Sequence, residues 1–163
     1  MSEIQELQEE VIALKEEINQ YKKIIESMSV PVIPSILPET ALLPITGQLL
    51  PDRLELITTK ISQRVYDDEI NTIIIDFSGI GKSEIGELEV LGEFISKLSH
   101  TLNLLGVEVL FVGFRPEVTN EIVKSQMNAA KELKTFLTFR AALQYLMKVK
   151  GLKLVSETEG IVE

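Results

Sequence analysis

The stretch that decides the fold is NTIIIDFSGIGKSEIGELEVL, residues 71–91. Its run of isoleucines, residues 73–75, stops at Asp76 and is followed by a short glycine-containing loop. A β-branched run between turn residues predicts a strand that is buried on both faces. From about Glu84 onwards the apolar residues recur at helical spacing, so strand, loop and helix follow one another as half of a βαβ unit. Because open α/β sheets place their functional surfaces at the carboxyl ends of strands, the loop after Asp76 is the first candidate for such a surface.

Strand and helix patterns alternate through most of the remaining chain. A proline-containing extended segment covers residues 30–37, and strands are predicted at residues 41–46, 107–112 and 136–139. Helices are predicted at residues 51–69, 84–105, 116–131 and 141–149. Gly106 follows the second of these helices, where a C-terminal cap is expected. The order β-β-α-β-α-β-α-β-α predicts an α/β fold in which helices cover a mainly parallel or mixed sheet.

The first 28 residues show a different pattern, a heptad repeat that is unbroken over four heptads. Its a and d positions are occupied by Ile4, Leu7, Val11, Leu14, Ile18, Tyr21, Ile25 and Met28. β-branched residues at a, with Leu at the first d positions, favour a parallel two-stranded coiled coil. Glu10 and Glu17 fall at g positions. Lys15 and Lys22 fall at the following e positions, where they would pair with glutamates of the partner chain. The alternative is a single amphipathic helix packed on its own domain, although such helices usually carry a wider apolar stripe.

Two prolines divide the coil from the globular part of the chain. Pro31 and Pro34 cannot continue a helix, so the helix is expected to end near Ser29. We therefore expect a coiled-coil linker helix over residues 1–29 and a globular domain over residues 30–150. Residues 151–163 are polar and acidic and are expected to form a flexible tail.

The composition excludes several classes of function. A formal net charge of −9 argues against binding to nucleic acid or to an anionic membrane. There is no cysteine and a single histidine, His100, so neither a zinc site nor a Ser-His-Asp triad is expected. No segment has the pattern of a signal peptide or a membrane-spanning helix, which predicts a cytoplasmic protein. We expect no metal, no cofactor and no catalytic residues.

The loop after the central strand resembles a phosphate-binding loop only in part. Residues 76–83, DFSGIGKS, end in the Gly-Lys-Ser of a P-loop, but Asp76 stands where the first glycine is required. A carboxylate there would repel phosphate, as would Glu84 and Glu87 at the predicted helix start. The alternative is that Ser83 caps the helix and the two glutamates complement its dipole. Binding of GTP or ATP therefore remains a secondary hypothesis.

Several motifs, in this order, resemble the STAS domain, the sulfate-transporter and anti-sigma-factor-antagonist fold. They are residues 31–34 (PVIP), 43–47 (LPITG), 75–80 (IDFSGI), 105–107 (LGV) and 113–117 (GFRPE). Together they cover most of residues 30–150 and are most similar to the stressosome branch, with its scaffold co-antagonists and blue-light-sensing relatives. In that branch a linker helix joins a sensor domain to the STAS domain, as the N-terminal coil would. The resemblance predicts a mixed STAS sheet with helices, preceded by a coiled-coil helix.

The resemblance implies a non-enzymatic regulator that is switched by a serine/threonine kinase. In the family, one phosphorylated Ser or Thr lies at the start of the helix after the central strand, and a second follows the GxRPE segment in scaffold members. Alignment on the motifs places these positions at Ile85, preceded by Glu84, and at Glu121. Neither residue can be phosphorylated. The nearest hydroxyls, Ser83 and Thr119, lie two residues away, which on a helix is another side.

The predicted function is signalling through protein–protein contacts, in stressosome-like or anti-anti-sigma regulation, without phosphorylation at the usual positions. The expected docking and switch surface consists of Asp76, Ser78, Gly79, Ser83, Glu84, Ile85 and Glu121. The expected partners are a second copy through the coil, other STAS proteins and a switch-type kinase. The alternatives are a nucleotide-binding module that uses residues 76–83, or a structural scaffold that is never switched.

Overall fold

A five-stranded mixed sheet forms the centre of the computed structural model, which describes residues 2–124 and 133–157 and omits the side chains of residues 121–124. The elements in chain order are α1 (Glu3–Met28), β1 (Ile33–Pro34), β2 (Thr40–Pro44), α2 (Pro51–Asp67), β3 (Thr72–Asp76), α3 (Leu88–Leu104), β4 (Glu108–Val112), α4 (Pro116–Lys124), β5 (Lys134–Phe136) and α5 (Phe139–Lys150). The strands lie in the order β1-β2-β3-β4-β5. β1 is antiparallel to β2, and the remaining neighbours are parallel. The predicted α/β class and mixed sheet are confirmed.

Each face of the sheet has its own core. On the first face, Ile73 and Ile75 of β3 pack with the buried sides of α2 and α3. On the second face, Ile74 packs with Leu110 of β4 and with Leu146 of α5. β3 is therefore buried on both faces, as its isoleucine run predicted.

The long helix α3 begins later than the sequence predicts. It starts at Leu88, with Glu87 as an N-cap that forms no side-chain capping bond, so the prediction of a start near Glu84 with Ser83 as the cap is wrong. The backbone of Glu84 and Ile85 is instead engaged with Leu49. Ile85 forms a parallel bridge with Leu49, whose N–H donates to the Glu84 carbonyl over 2.9 Å. Because this long-range pairing holds the backbone extended, the helix cannot form there.

The last strand and helix also begin earlier than predicted. β5 ends at Phe136, and Thr138 caps α5 by accepting a hydrogen bond from the Ala141 amide over 3.1 Å. This cap explains why residues 137–139 are not strand. The predicted continuation of α4 to Lys131 lies outside the described residues. The predicted helix ends are confirmed: α1 ends at Met28 before the prolines, and Gly106 follows α3 with φ +78°.

Helix α1 stands apart from both cores, because none of its residues is buried. It joins the domain through Ser29 and Val30, both of which are buried, and Val30 packs in the core of the first face. The Lys60 ammonium on α2 donates a hydrogen bond to the Glu26 carbonyl over 2.8 Å. Beyond α5, residues 152–156 form neither helix nor strand and are exposed, and their flexibility stays a prediction.

Candidate functional site

The carboxyl ends of β3 and β4 lie side by side and carry the candidate site. Asp76 and Val112 are register partners, and the Phe77 N–H donates to the Val112 carbonyl over 2.9 Å. The two following loops therefore leave the sheet together. We call residues 76–87 and 113–118 the carboxyl-edge surface.

The first turn of this surface is built around Asp76. One of its carboxylate oxygens accepts a hydrogen bond from the Ser78 N–H over 2.8 Å, which closes the turn. Gly79 lies close to the end of the neighbouring strand β2, because a Cβ at this position would be 3.3 Å from the carbonyl oxygen of Ile45, which follows β2. Three of the predicted site residues, Asp76, Ser78 and Gly79, thus form one turn in which Asp76 is half-buried and the other two are exposed.

Aromatic rings join this turn to the segment after β4. The buried ring of Phe77 stacks on the half-buried ring of Phe114 at a centroid distance of 4.9 Å. Phe111 of β4 lies 6.2 Å from both rings. The two loops therefore share a small aromatic core and are held as one unit.

The P-loop-like segment, residues 76–83, is closed by the carboxylate of the residue that follows it, Glu84. The Gly81 N–H donates to Glu84 Oε2 over 2.8 Å. The Ser83 side chain hydrogen bonds to Glu84, and this bond, the backbone bonds and the nearby Arg115 guanidinium hold the pKa of Glu84 below its ordinary value. A phosphate would have to displace Glu84 to reach the Gly81 amide. The geometry therefore does not favour a phosphate site at residues 76–83.

The loop before α3 and the start of α4 border one cavity in the carboxyl-edge surface. Half-buried Ile85 lines a cavity of about 310 Å³ together with Lys82, Gly86, Leu88, Glu117 and Val118. Glu121 lies on α4 one turn beyond Glu117, and its side chain is outside the described part of the structure. The loop that carries Ile85 and the start of α4 thus face each other across this cavity.

The site also includes residues that the sequence prediction omitted. Lys82, Glu117 and Val118 line the cavity, and Arg115 contributes its charge beside Glu84. The GFRPE motif contains two of these four residues, but their proximity to Ile85 depends on the pairing of β3 with β4. Ser83 is exposed in a turn and not on α3, so the argument that a helical offset turns its hydroxyl away is wrong.

The predicted coil seam is fully accessible on α1. All eight seam side chains are between 48% and 67% exposed. The Lys60 bond reaches only the backbone of the last turn, so the domain does not cover the seam. The seam is therefore free for a partner helix.

The described ranges contain neither a cluster of potential metal ligands nor a helix suited to cross a membrane. Within residues 2–124 and 133–157, no group of three or more potential metal ligands is found. No described helix combines the length and the apolar character that are required to cross a membrane.

Comparison with known proteins identifies the family. A model of the STAS domain family matches residues 27–142, which is most of the chain. The chain therefore belongs to the STAS domain family, as the motifs suggested.

The curated relatives come from the branch indicated by the sequence. The chain is 29% identical over 121 residues to a blue-light photoreceptor of Listeria monocytogenes, covering 74% of this chain and 46% of that protein. It is 30% identical over 110 residues to the RsbT co-antagonist protein RsbRB of Bacillus subtilis, covering 68% of this chain and 38% of that protein. The chain thus spans less than half the length of either relative.

Solved structures support the same fold at lower identity. RsbS of Moorella thermoacetica matches with a TM-score of 0.60 and 15% identity, covering 76% of this chain and 98% of that one. A chain from a structure titled as the molecular architecture of the stressosome matches with a TM-score of 0.58 and 14% identity, covering 74% of this chain and 98% of that one. At these identities the likeness concerns the fold alone.

Proposed function

We propose that this chain is a non-enzymatic signalling module that acts through protein–protein contacts at the carboxyl-edge surface. Membership of the STAS family, with relatives named as a blue-light photoreceptor and as an RsbT co-antagonist protein, supports a signalling role. The observation that carries the proposal is the cavity shared by Ile85 and the start of α4. This shared cavity supports the proposal that the two segments, in which the family carries its switch residues, act as one docking surface.

The partners that fit this proposal are other STAS proteins and a switch-type serine/threonine kinase. The usual phosphorylated positions correspond to Ile85 and Glu121, so contact is made there without a phosphate. Ile85 lines the cavity together with Leu88 and Val118, which favours burial against an apolar partner side chain. Glu121 would supply a fixed negative charge on α4, in place of one added by a kinase.

The docking surface can be tested with two variants and a matched control. We expect Ile85→Lys and Lys82→Glu to weaken binding to a purified stressosome STAS partner, measured by calorimetry with the full chain. Lys82 is exposed, so its variant keeps the test valid if Ile85→Lys impairs folding. Leu104→Lys, at the opposite edge of the sheet, changes an exposed apolar residue and should bind normally. If Ile85→Lys and Lys82→Glu bind the partner as tightly as Leu104→Lys and the unmodified chain, the partner docks elsewhere.

Phosphorylation is tested separately by incubating the chain with a stressosome switch kinase and measuring the intact mass. We expect no added phosphate. A mass gain that disappears in Ser83→Ala or Thr119→Ala would contradict the proposal. Calorimetry with GTP and ATP at millimolar concentration provides the corresponding test of the nucleotide-binding alternative, and saturable binding would favour that alternative.

The second part of the proposal is that α1 forms a parallel coiled-coil homodimer. The seam is exposed and its charges are polarised, with Glu10 and Glu17 on one flank and Lys15 and Lys22 on the other. In a parallel pair these flanks attract each other. In an antiparallel pair, like flanks would meet and repel. Charge therefore selects the parallel arrangement.

Two isoleucines of α1 give a matched test of the dimer. Ile18 lies at a seam a position, and Ile12 lies at a b position on the outside of the coil, yet both are exposed in the single chain. We expect Ile18→Asp to weaken dimerisation by more than roughly a hundredfold, because it would bury a charge in the seam. Ile12→Asp should leave the dissociation constant unchanged. Sedimentation equilibrium of the full chain measures the dimer dissociation constant of each variant. Equal effects of the two substitutions would contradict the proposal that the seam forms the dimer interface.

A further inference from the structure

Helix α5 crosses the second face of the sheet diagonally and leaves two corners of that face outside its path. It begins beside the carboxyl end of β5, and at its far end Lys150 donates hydrogen bonds to the Pro38 carbonyl and the Thr40 hydroxyl, over 3.4 and 3.3 Å. One corner, beside the amino end of β5, is therefore left open. The other lies where β1 meets the carboxyl half of β2.

The two corners have opposite chemistry. At the β5 corner, Glu108 and Lys134 form a partly exposed ion pair at 2.5 Å, as is normal for a sheet surface in water. At the β1 corner the second face carries Ile33, Leu42 and Pro44, which we call the apolar corner. Ile33 is the register partner of Leu42, so their side chains lie on the same face. Ile33 is 47% exposed, and Leu42 and Pro44 are half-buried.

Two charged residues, Asp76 and Lys150, lie near this corner, but both are engaged in other contacts. Asp76, the register partner of Pro44, directs one carboxylate oxygen to the Ser78 amide. Lys150 is bound at Pro38 and Thr40. Three neighbouring apolar residues at one edge of the sheet, with no ion pair among them, make this corner a candidate contact site.

The position of the corner favours a second copy of this chain as its occupant. Ile33 lies five residues after Met28, the last seam residue of α1, and a connection of that length spans at most about 18 Å. The junction is also held on the domain, because Ser29 and Val30 are buried and Lys60 binds the end of α1. In a parallel coil the partner's corner is therefore confined nearby, at an effective concentration in the roughly millimolar range.

We propose that the apolar corner packs against the same corner of a second copy, so that the dimer continues from the coil into the STAS domains. This inference rests on the proposed coil dimer. Such a contact is isologous, because Ile33 of each copy would meet the same surface on the other. It would fix the angle between the two domains, and with it the relative placement of their two carboxyl-edge surfaces.

The absence of cysteine from the chain allows a direct crosslinking test. Three single-cysteine variants of the full chain are treated with a short bismaleimide: Leu14→Cys in the seam, Ile33→Cys in the corner, and Leu104→Cys at the distant end of α3. We expect Leu14→Cys and Ile33→Cys to give crosslinked dimers, and Leu104→Cys to stay monomeric on denaturing gels. Crosslinking of Leu14→Cys without Ile33→Cys would overturn the corner contact and leave the coil dimer intact. Failure of Leu14→Cys would overturn both.

A second measurement does not depend on cysteine geometry. Ile33→Asp should weaken dimerisation of the full chain about tenfold in sedimentation equilibrium, because an apolar contact would be replaced by a desolvated charge. Leu104→Asp is the control and should have no effect. An unchanged dissociation constant for Ile33→Asp would contradict the inference. This is also the result expected if a different protein, and not a second copy, occupies the corner.

Discussion

At the residue scale, the carboxyl-edge surface depends on Gly113. This residue has a φ of +77°, in the left-handed region that side chains disfavour. A Cβ here would lie 2.7 Å from the Asp76 carboxylate and 2.7 Å from the Ser78 nitrogen. The turn after β3 can approach the segment after β4 only because this side chain is missing.

Gly106 offers a matched comparison for this close approach. It has nearly the same φ, +78°, but a Cβ there would meet no atom within 4 Å. We expect Gly106→Ala to cost about 1 kcal/mol of unfolding free energy, from backbone strain alone. Gly113→Ala should cost roughly 1–3 kcal/mol more, because the clash is added to the same strain. Urea unfolding measures both, and equal losses would mean that the close approach contributes nothing.

The second prediction at this scale concerns Glu84. Because its folded pKa is lowered from the ordinary value of 4.5, its contribution to stability is present above that value. The contribution is lost as the pH falls through the folded pKa. Glu84→Gln should therefore flatten the acid side of the stability profile below pH 4.5 and lower stability near neutral pH. Urea unfolding at a series of pH values tests this, with Glu93→Gln as a control for the loss of one charge. A profile parallel to that of the unmodified chain would contradict it.

At the scale of elements, the end of α1 is stabilised from outside the helix. The last turn of α1 contains no basic residue, although its free carbonyls favour a nearby cation. Lys60 of α2 supplies that cation at the Glu26 carbonyl. The junction between coil and domain is therefore a specific contact in addition to the buried Ser29 and Val30.

Removing this cation should loosen the junction without unfolding the domain. We expect Lys60→Met to lower the local stability of the last turn of α1 by roughly 0.3–1 kcal/mol. Hydrogen exchange of the amides of residues 25–29 measures the change. Arg64→Met, one turn later on α2, breaks only an exposed ion pair with Asp68 and should leave these amides unaffected. Faster exchange in both variants would indicate a general loss of α2 stability instead.

The element scale also shows where local patterns mislead. The apolar spacing from Ile85 to Leu105 is helical throughout, yet α3 begins only at Leu88. The bridge to Leu49 and the bond from the Gly81 amide to Glu84 hold the preceding residues in a loop. The bridge cannot be deduced from periodicity, because it depends on how the chain returns to this edge. The bond from Gly81 is local, but apolar spacing does not encode a contact between a side chain and a backbone amide.

At the scale of the whole molecule, the cores and the coil are separate structures. α1 buries none of its residues, and both cores are built from residues after Ser29. We therefore expect a chain without residues 1–28 to unfold cooperatively as a monomer. Its Tm should not depend on protein concentration, whereas the melting temperature of the coil in the full chain should rise with concentration because dimerisation favours the folded coil. Calorimetry over a range of concentrations measures both, and a concentration-dependent Tm in the truncated chain would place the main dimer contact in the domain.

Local chemistry made much of this protein predictable from sequence. The isoleucine run of β3, the heptads of α1 and the stop signals at Pro31 and Gly106 act within a few residues of themselves. They determined the α/β class, most helices and strands, and the motifs of the STAS family. The turn Asp76, Ser78 and Gly79 was likewise placed at the correct edge, because a strand end is a local feature.

Only the tertiary structure decided which distant residues meet. The parallel pairing of β3 with β4 brings Arg115 to Glu84 and places Val118 across the cavity from Ile85. The diagonal path of α5 decides which corner of the second face stays open beside β1. These contacts join segments far apart in the chain, and their formation depends on chain topology and burial, which no local pattern encodes.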